Sequence, residues 1–126
     1  MSNDKVYDLE ERTARFGEEI IKFARMIPKD VVTLPIIGQL VKSGTSVGAN
    51  YCEADCAETR KDFEHKLGIC KKESKETKHW LRMLITTTPE LKDRATELMK
   101  ETNELTLIFV AIIKKSKANK IKELSI

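Results

Sequence analysis

The sequence predicts an all-α protein, an antiparallel up-down-up-down four-helix bundle, on three observations. Apolar residues recur at steps of three and four through four successive stretches of chain. All four Phe, at 16, 23, 63 and 109, fall on those stripes. Five Gly and three Pro in 126 residues are too few for the many turns of a β-sandwich or barrel. A chain of this length makes one domain and buries roughly two-thirds of its unfolded surface without a metal or disulfide staple.

The first helix is expected over 8–27. Its stripe is Leu9, Thr13, Phe16, Ile20, Phe23 and Ile27, with Asp8 as N-cap, and Pro28 stops it by lacking an N–H and restricting the residue before it. The second, over 35–57, opens on Pro35 and carries Ile37, Leu40, Val41, Gly44, Val47, Gly48, Tyr51 and Ala54. The third, over 60–86, follows the cap Thr59 and runs through Phe63, Leu67, Cys70, Ser74, Thr77, Leu81 and Leu84. The fourth, over 89–116, takes Thr88 as cap and Pro89 as first residue, then Leu91, Ala95, Leu98, Thr102, Leu105, Phe109 and Ile112. The bundle domain is thus expected at 1–116, with a basic tail at 117–126.

Two helices carry more than a core stripe. Gly44 and Gly48 lie four apart on one face of helix two, so a partner helix can approach closely, either inside the bundle or in another subunit. Helix four is apolar all round at Leu107, Ile108, Val110 and Ile113, where an outer helix of a monomer needs a polar face. These six residues form the candidate oligomer interface.

Composition narrows the compartment and the chemistry. With 40% hydrophobic and 34% charged residues the chain is too apolar for disorder and too polar for a membrane protein. The longest mostly apolar run, Leu105 to Ile113, falls short of the about 20 residues a span needs, and the N-terminus has no signal-like stretch. Three cysteines without scaffold spacing read as reduced thiols, so a cytoplasmic location is expected, with no membrane partner. Positive charge gathers in two places. Residues 58–84 hold eight Lys/Arg against five Asp/Glu, and residues 114–126 hold five Lys against one Glu. One flank of helix three carries Lys71, Lys75, Lys78 and Arg82. With Lys114, Lys115 and Lys117 they are the candidate nucleic-acid contact, against the alternative of a merely solvated face.

The stretch from Ser46 to Leu84 reads SVGANYCEADCAETRKDFEHKLGICKKESKETKHWLRML. Through Ser46, Asn50, Glu53, Ala54, Phe63, Glu73, Glu76, Thr77, Trp80 and Leu81 it resembles the 23S rRNA intervening-sequence protein family, over roughly residues 7–115. It is also similar to the accessory variability protein of diversity-generating retroelements. The resemblance implies a cytoplasmic four-helix bundle assembled as a ring-like homo-oligomer, typically a pentamer. The retroelement likeness implies RNA or a nucleic-acid enzyme as partner of the basic surface. Asn50, Glu53, Glu73, Glu76 and Trp80 are the family-matching polar set. They can form a buried or interfacial hydrogen-bond network that fixes register, or a surface that receives a partner.

Enzyme readings are weak. Glu76-x-x-His79 and Asp62-x-x-His65 match the carboxylate–histidine pairs of di-iron bundles, but both lie on one helix, about 21 Å apart at 1.5 Å per residue. Both His fall on the outermost line of that helix. Cys52 and Cys56 lack the further ligands of a tetrahedral site and read as small buried hydrophobes. There is no Gly-rich phosphate loop, nucleophile elbow or HExxH, and Ser43 and Ser46 have no His in relation to them. No catalytic residue, metal, cofactor or small-molecule substrate is expected. The expected function is an oligomeric binding or scaffolding module associated with RNA; the alternative is a homo-oligomer that meets only protein.

Overall fold

The computed structural model describes residues 8–124, and among them there are four α-helices and no strand. They are α1 (Leu9–Met26), α2 (Thr33–Asp55), α3 (Arg60–Thr87) and α4 (Lys92–Leu124), the last preceded by a 3-10 turn at Pro89–Leu91.

The helix ends follow local chemistry. Asp8 Oδ1 accepts from the Glu11 N–H at 3.1 Å, and Thr59 accepts from the Asp62 N–H at 3.0 Å, two of the three caps the sequence predicts. Ile27, ahead of Pro28, is extended, and α1 ends there. The start of α2 differs from expectation. Asp30 Oδ1 accepts from the Thr33 N–H at 2.8 Å while Thr33 Oγ1 accepts from the Asp30 N–H at 3.0 Å. This reciprocal pair is a capping box that starts the helix ahead of Pro35. At the same end of the bundle, Pro89 opens the 3-10 turn rather than the α-helix and Thr88 makes no side-chain cap, so α4 begins at Lys92. The tail expected from residue 117 is instead helical through Leu124: the segment has no Gly or Pro, and its three Lys with one Ala, Glu and Leu are good helix formers. Residues 1–7 and the last two of that tail lie outside the described residues.

The stripes meet in one core. Every residue of the α1 stripe is buried, as are Leu40, Gly44, Val47 and Ala54 of α2. Leu67, Cys70, Leu81 and Leu84 of α3 and Ala95, Leu98, Leu105 and Phe109 of α4 complete it. Phe63, Leu91 and Ile112, at the ends of their stripes, are half-buried and pack against this core. Polar members of the stripes bond to the backbone one turn back, as Thr13 Oγ1 does to Leu9 O at 2.6 Å and Ser74 Oγ to Cys70 O at 2.9 Å. Among the described residues no buried side-chain N or O lacks a hydrogen-bond partner.

Register comes from contacts that climb one helix as they descend the next. On α1 and α2, Thr13 lies against Gly48 and Ile20 against Gly44. On α2 and α3, the Cys70 thiol donates to Val47 O at 3.5 Å and Thr77 Oγ1 to Ser43 Oγ at 3.0 Å. On α1 and α4, Arg12 pairs with Glu101 at 2.8 Å and Glu19 with Arg94 at 2.6 Å. The α1–α4 side is the least intimate, bridged by these long charged side chains rather than by close backbone approach.

Candidate nucleic-acid interface

Glu64, Lys71, Lys75, Lys78 and Arg82 follow one another at steps of seven, four, three and four, and so share one flank of α3. Ser116 of α4 donates to Glu64 Oε2 at 2.6 Å, so this flank borders α4. Measured along α3 from Glu64, Lys71 stands about 10 Å and Arg82 about 27 Å away at 1.5 Å per residue. Lys75 and Arg82 are exposed, whereas Lys71 and Lys78 are half-buried, which is how a long aliphatic stem lies along a neighbour with its ammonium in water. Lys117, one residue past Ser116, stands by the Glu64 end of the row, whereas Lys114, two residues before it, turns about 200° from the side Ser116 presents to Glu64; both are exposed. Among the described residues none of these cations is held in an ion pair.

Lys115 departs from the row. Successive helical residues point about 100° apart, and Lys115 lines a hollow of about 480 Å³ with Arg60, Phe63 and Asn119 where α2 turns into α3. The seven expected contacts therefore divide between the α3 edge with Lys117, the outward side of α4 at Lys114, and this separate hollow.

The opposite flank of α3 is acidic. Glu73 and Glu76 come within hydrogen-bonding reach, and burial, followed by the charge of Glu76, holds the Glu73 carboxyl above its ordinary range. Lys72 and Lys42 partly offset this. The rest of the expected polar network is dispersed. Asn50 Nδ2 donates to Ser46 O of its own helix at 2.9 Å, and Glu53 pairs with Lys66 at 2.6 Å. Trp80 is half-buried and stands edge-on to His79, ring centroids 4.8 Å apart. These five residues line the α2–α3 side without joining in one network.

One pair of alternatives is resolved for Gly44, and one expectation about cysteine is corrected. Gly44 and Gly48 face α1 of the same chain: a Cβ at Gly44 would sit 2.8 Å from Ile20 Cγ2, and one at Gly48 3.3 Å from Thr13 O. Gly44 is buried in this contact, as the inside-the-bundle alternative expects, whereas Gly48 is half-buried and also lines the outer groove between α1 and α2. Cys52 and Cys56 are exposed, because Cys52 lies on the outer side of α2 and Cys56 is the C-cap beyond its last turn. Only Cys70 is a buried thiol, pushed up to about 12 by that burial and hence unreactive. Of the apolar α4 residues, Leu107 is 68% exposed while Ile108, Val110 and Ile113 are half-buried.

Sequence reasoning missed a second apolar exposure, at the α1–α2 connection: Met26, Val31, Val32 and Leu34 are exposed, Val31 by 88%. The signal was present as two β-branched residues in a row where a connection is ordinarily polar. Among the described residues no group of three or more His, Cys, Asp or Glu gathers as a metal site, and no helix is long and apolar enough to cross a membrane.

Comparison with known proteins gives one family and one fold neighbour of note. The sequence profile described as 23S rRNA-intervening sequence protein matches residues 5–111. No curated protein matches the chain. A similar solved structure is the crystal structure of a protein of unknown function from the S23 ribosomal protein family of Bacteroides thetaiotaomicron VPI-5482. It is 30% identical with a TM-score of 0.76, and the alignment covers 83% of this chain and 97% of that one.

Proposed function

Because the chain belongs to the 23S rRNA-intervening sequence protein family, we propose that it is a non-enzymatic, self-associating helical scaffold that contacts RNA through the cation row of α3. The observation that carries the reading is the row itself: Lys71, Lys75, Lys78 and Arg82 along one edge, none in an ion pair among the described residues, with Lys117 near its Glu64 end. Unpaired cations in a line hold mobile counterions, and replacing those with phosphates releases them, which favours binding irrespective of base sequence. Glu73 and Glu76 stand on the other flank, and Glu64, on the same flank, lies about 10 Å along the helix from Lys71 and bonds Ser116, so the row's field is not cancelled. Free thiols fit a reducing, cytoplasmic setting. Exposed Leu107 on α4 and the exposed corner at Val31 and Val32 support self-association, since a lone molecule gains nothing from wetting them.

Charge reversal tests the assignment. Lys75→Glu with Lys78→Glu is expected to weaken RNA binding about tenfold or more in dilute salt and to flatten its salt dependence. The helical content of the variant, checked by circular dichroism, is expected to stay unchanged because neither residue joins the core. Binding equal to that of the unaltered protein contradicts the assignment and leaves the protein-partner reading standing.

A further inference from the structure

The hollow of about 480 Å³ at the α2–α3 connection has the size of a small-ligand pocket, and its walls carry three chemistries. Half-buried Phe63 and Ile112 give it an apolar side with one aromatic ring. Asp55, Glu58 and the Asn119 amide, all exposed, give it a polar edge rich in acceptors. Arg60 and Lys115 bring positive charge, and Lys115 is in no ion pair among the described residues. The hollow also adjoins the cation row. Ser116 on its wall donates to Glu64 at 2.6 Å, and Arg60 stands one turn from Glu64, about 16 Å along α3 from Lys71 at 1.5 Å per residue.

We propose that this hollow takes one unpaired nucleotide, its base against Phe63 and its phosphate toward Lys115 and Arg60. Every base has a π-face, so stacking on an aromatic ring accepts any of them. Every base also carries an N–H on its Watson–Crick edge, and pairing in a duplex uses that edge up. Unpaired, it donates to the Asp55 or Glu58 carboxylate, while the Asn119 amide both donates and accepts. The same two carboxylates repel a bare phosphate. The mixed signs therefore select a ligand with a donor edge at one end and an anion at the other. A free nucleoside monophosphate and a single-stranded stretch of RNA both offer this chemistry. The strand as source rests on the RNA contact proposed above for the α3 row.

Titration of the full chain with adenosine 5′-monophosphate, a short single-stranded RNA and the same sequence as a duplex tests it. Phe63→Leu keeps an apolar side chain and removes the ring; Asn119→Ala alters an exposed residue and holds the test if the first variant unfolds by circular dichroism. Each variant is expected to weaken single-strand binding about fivefold or more and to leave duplex binding within about twofold. The mononucleotide is expected to shift the backbone amide resonances of Phe63 and Asn119 in the unaltered protein. Shifts without any selective effect of the variants on RNA make the free nucleotide the source, and the selective effect without shifts makes the strand the source. Neither shifts nor a selective loss overturns the inference; RNA binding that persists then leaves the α3 row standing. A protein that binds neither probe overturns the hollow and the row together.

Discussion

The two flanks of α3 share a helix and a neighbourhood yet are held in opposite ways. On the α4 edge Lys71, Lys75, Lys78 and Arg82 stand in a row with no carboxylate answering them among the described residues. On the α2 side Glu73 and Glu76 crowd each other, Glu73 being partly desolvated and eased by Lys72 and Lys42. A solvated surface helix ordinarily mixes its signs, so that i,i+4 pairs relieve like charges. Here four cations from Lys71 to Arg82 follow one another with no acid between them on that flank. The difference teaches that net charge, only +3 for the whole chain, is the wrong measure of this protein, and that the arrangement along one helix is the right one.

The comparison breaks if position does not matter. Glu73→Lys with Glu76→Lys adds as much positive charge as the Lys75 and Lys78 reversal removes, but on the far flank. If the α4 edge is the contact, RNA affinity changes by no more than about threefold; if net charge governs, it rises by a factor comparable to the loss on the other flank. Filter binding at fixed salt separates the two.

Packing sharpens the contrast in units of stability. Gly44→Ala drives a methyl into Ile20, which is fully buried and branched at the point of collision, and is expected to cost about 1–3 kcal/mol in urea unfolding. Gly68→Ala, on the cation flank of α3 with nothing within 4 Å of the added carbon, is expected to stabilise by up to about 1 kcal/mol, the intrinsic preference of a helix for Ala. The same substitution thus takes opposite signs on an inward and an outward face. The smallest expected effect is on the acidic flank. A carboxyl raised in the folded state binds protons more readily there than in the unfolded chain, so its ionisation opposes folding above its folded pKa and costs nothing below its unfolded one. Glu73→Gln is therefore expected to raise Tm slightly at neutral pH, and the gain is expected to vanish below about pH 4.

Most of the fold was legible because core residues repeat at helical steps. The α1 stripe from Leu9 to Ile27 is buried throughout, and the caps Asp8 and Thr59 act as their side chains suggest. Three ends were not legible, among them the start of α4, where Thr88 makes no side-chain cap and Pro89 opens a 3-10 turn. Pro35 outweighed the Asp30–Thr33 box, which works through a reciprocal bond that residue type alone does not announce. Charge density after residue 116 read as a tail, although Lys and Glu on a helix surface are also good helix formers. The partner of Gly44 was undetermined because spacing assigns a face and never a neighbour; Ile20 of α1 occupies it. Of the candidate site, the α3 row was legible as a period, whereas the separation of Lys115 from Lys114 and Lys117 depends on the register of α4, which the Ser116–Glu64 bond sets. The apolar corner at Val31 and Val32 was not legible because helical periodicity carries no information on how far a connection between helices stands out from the core.

The central claim is that an ordered line of cations meets phosphate. Its most direct test is the salt dependence of single-stranded RNA binding by the unaltered protein. Four to five contacts along the α3 edge predict that log K falls with log salt concentration at a slope of about −3. Binding that ignores salt, or a slope that persists unchanged after Lys75 and Lys78 are reversed, contradicts it.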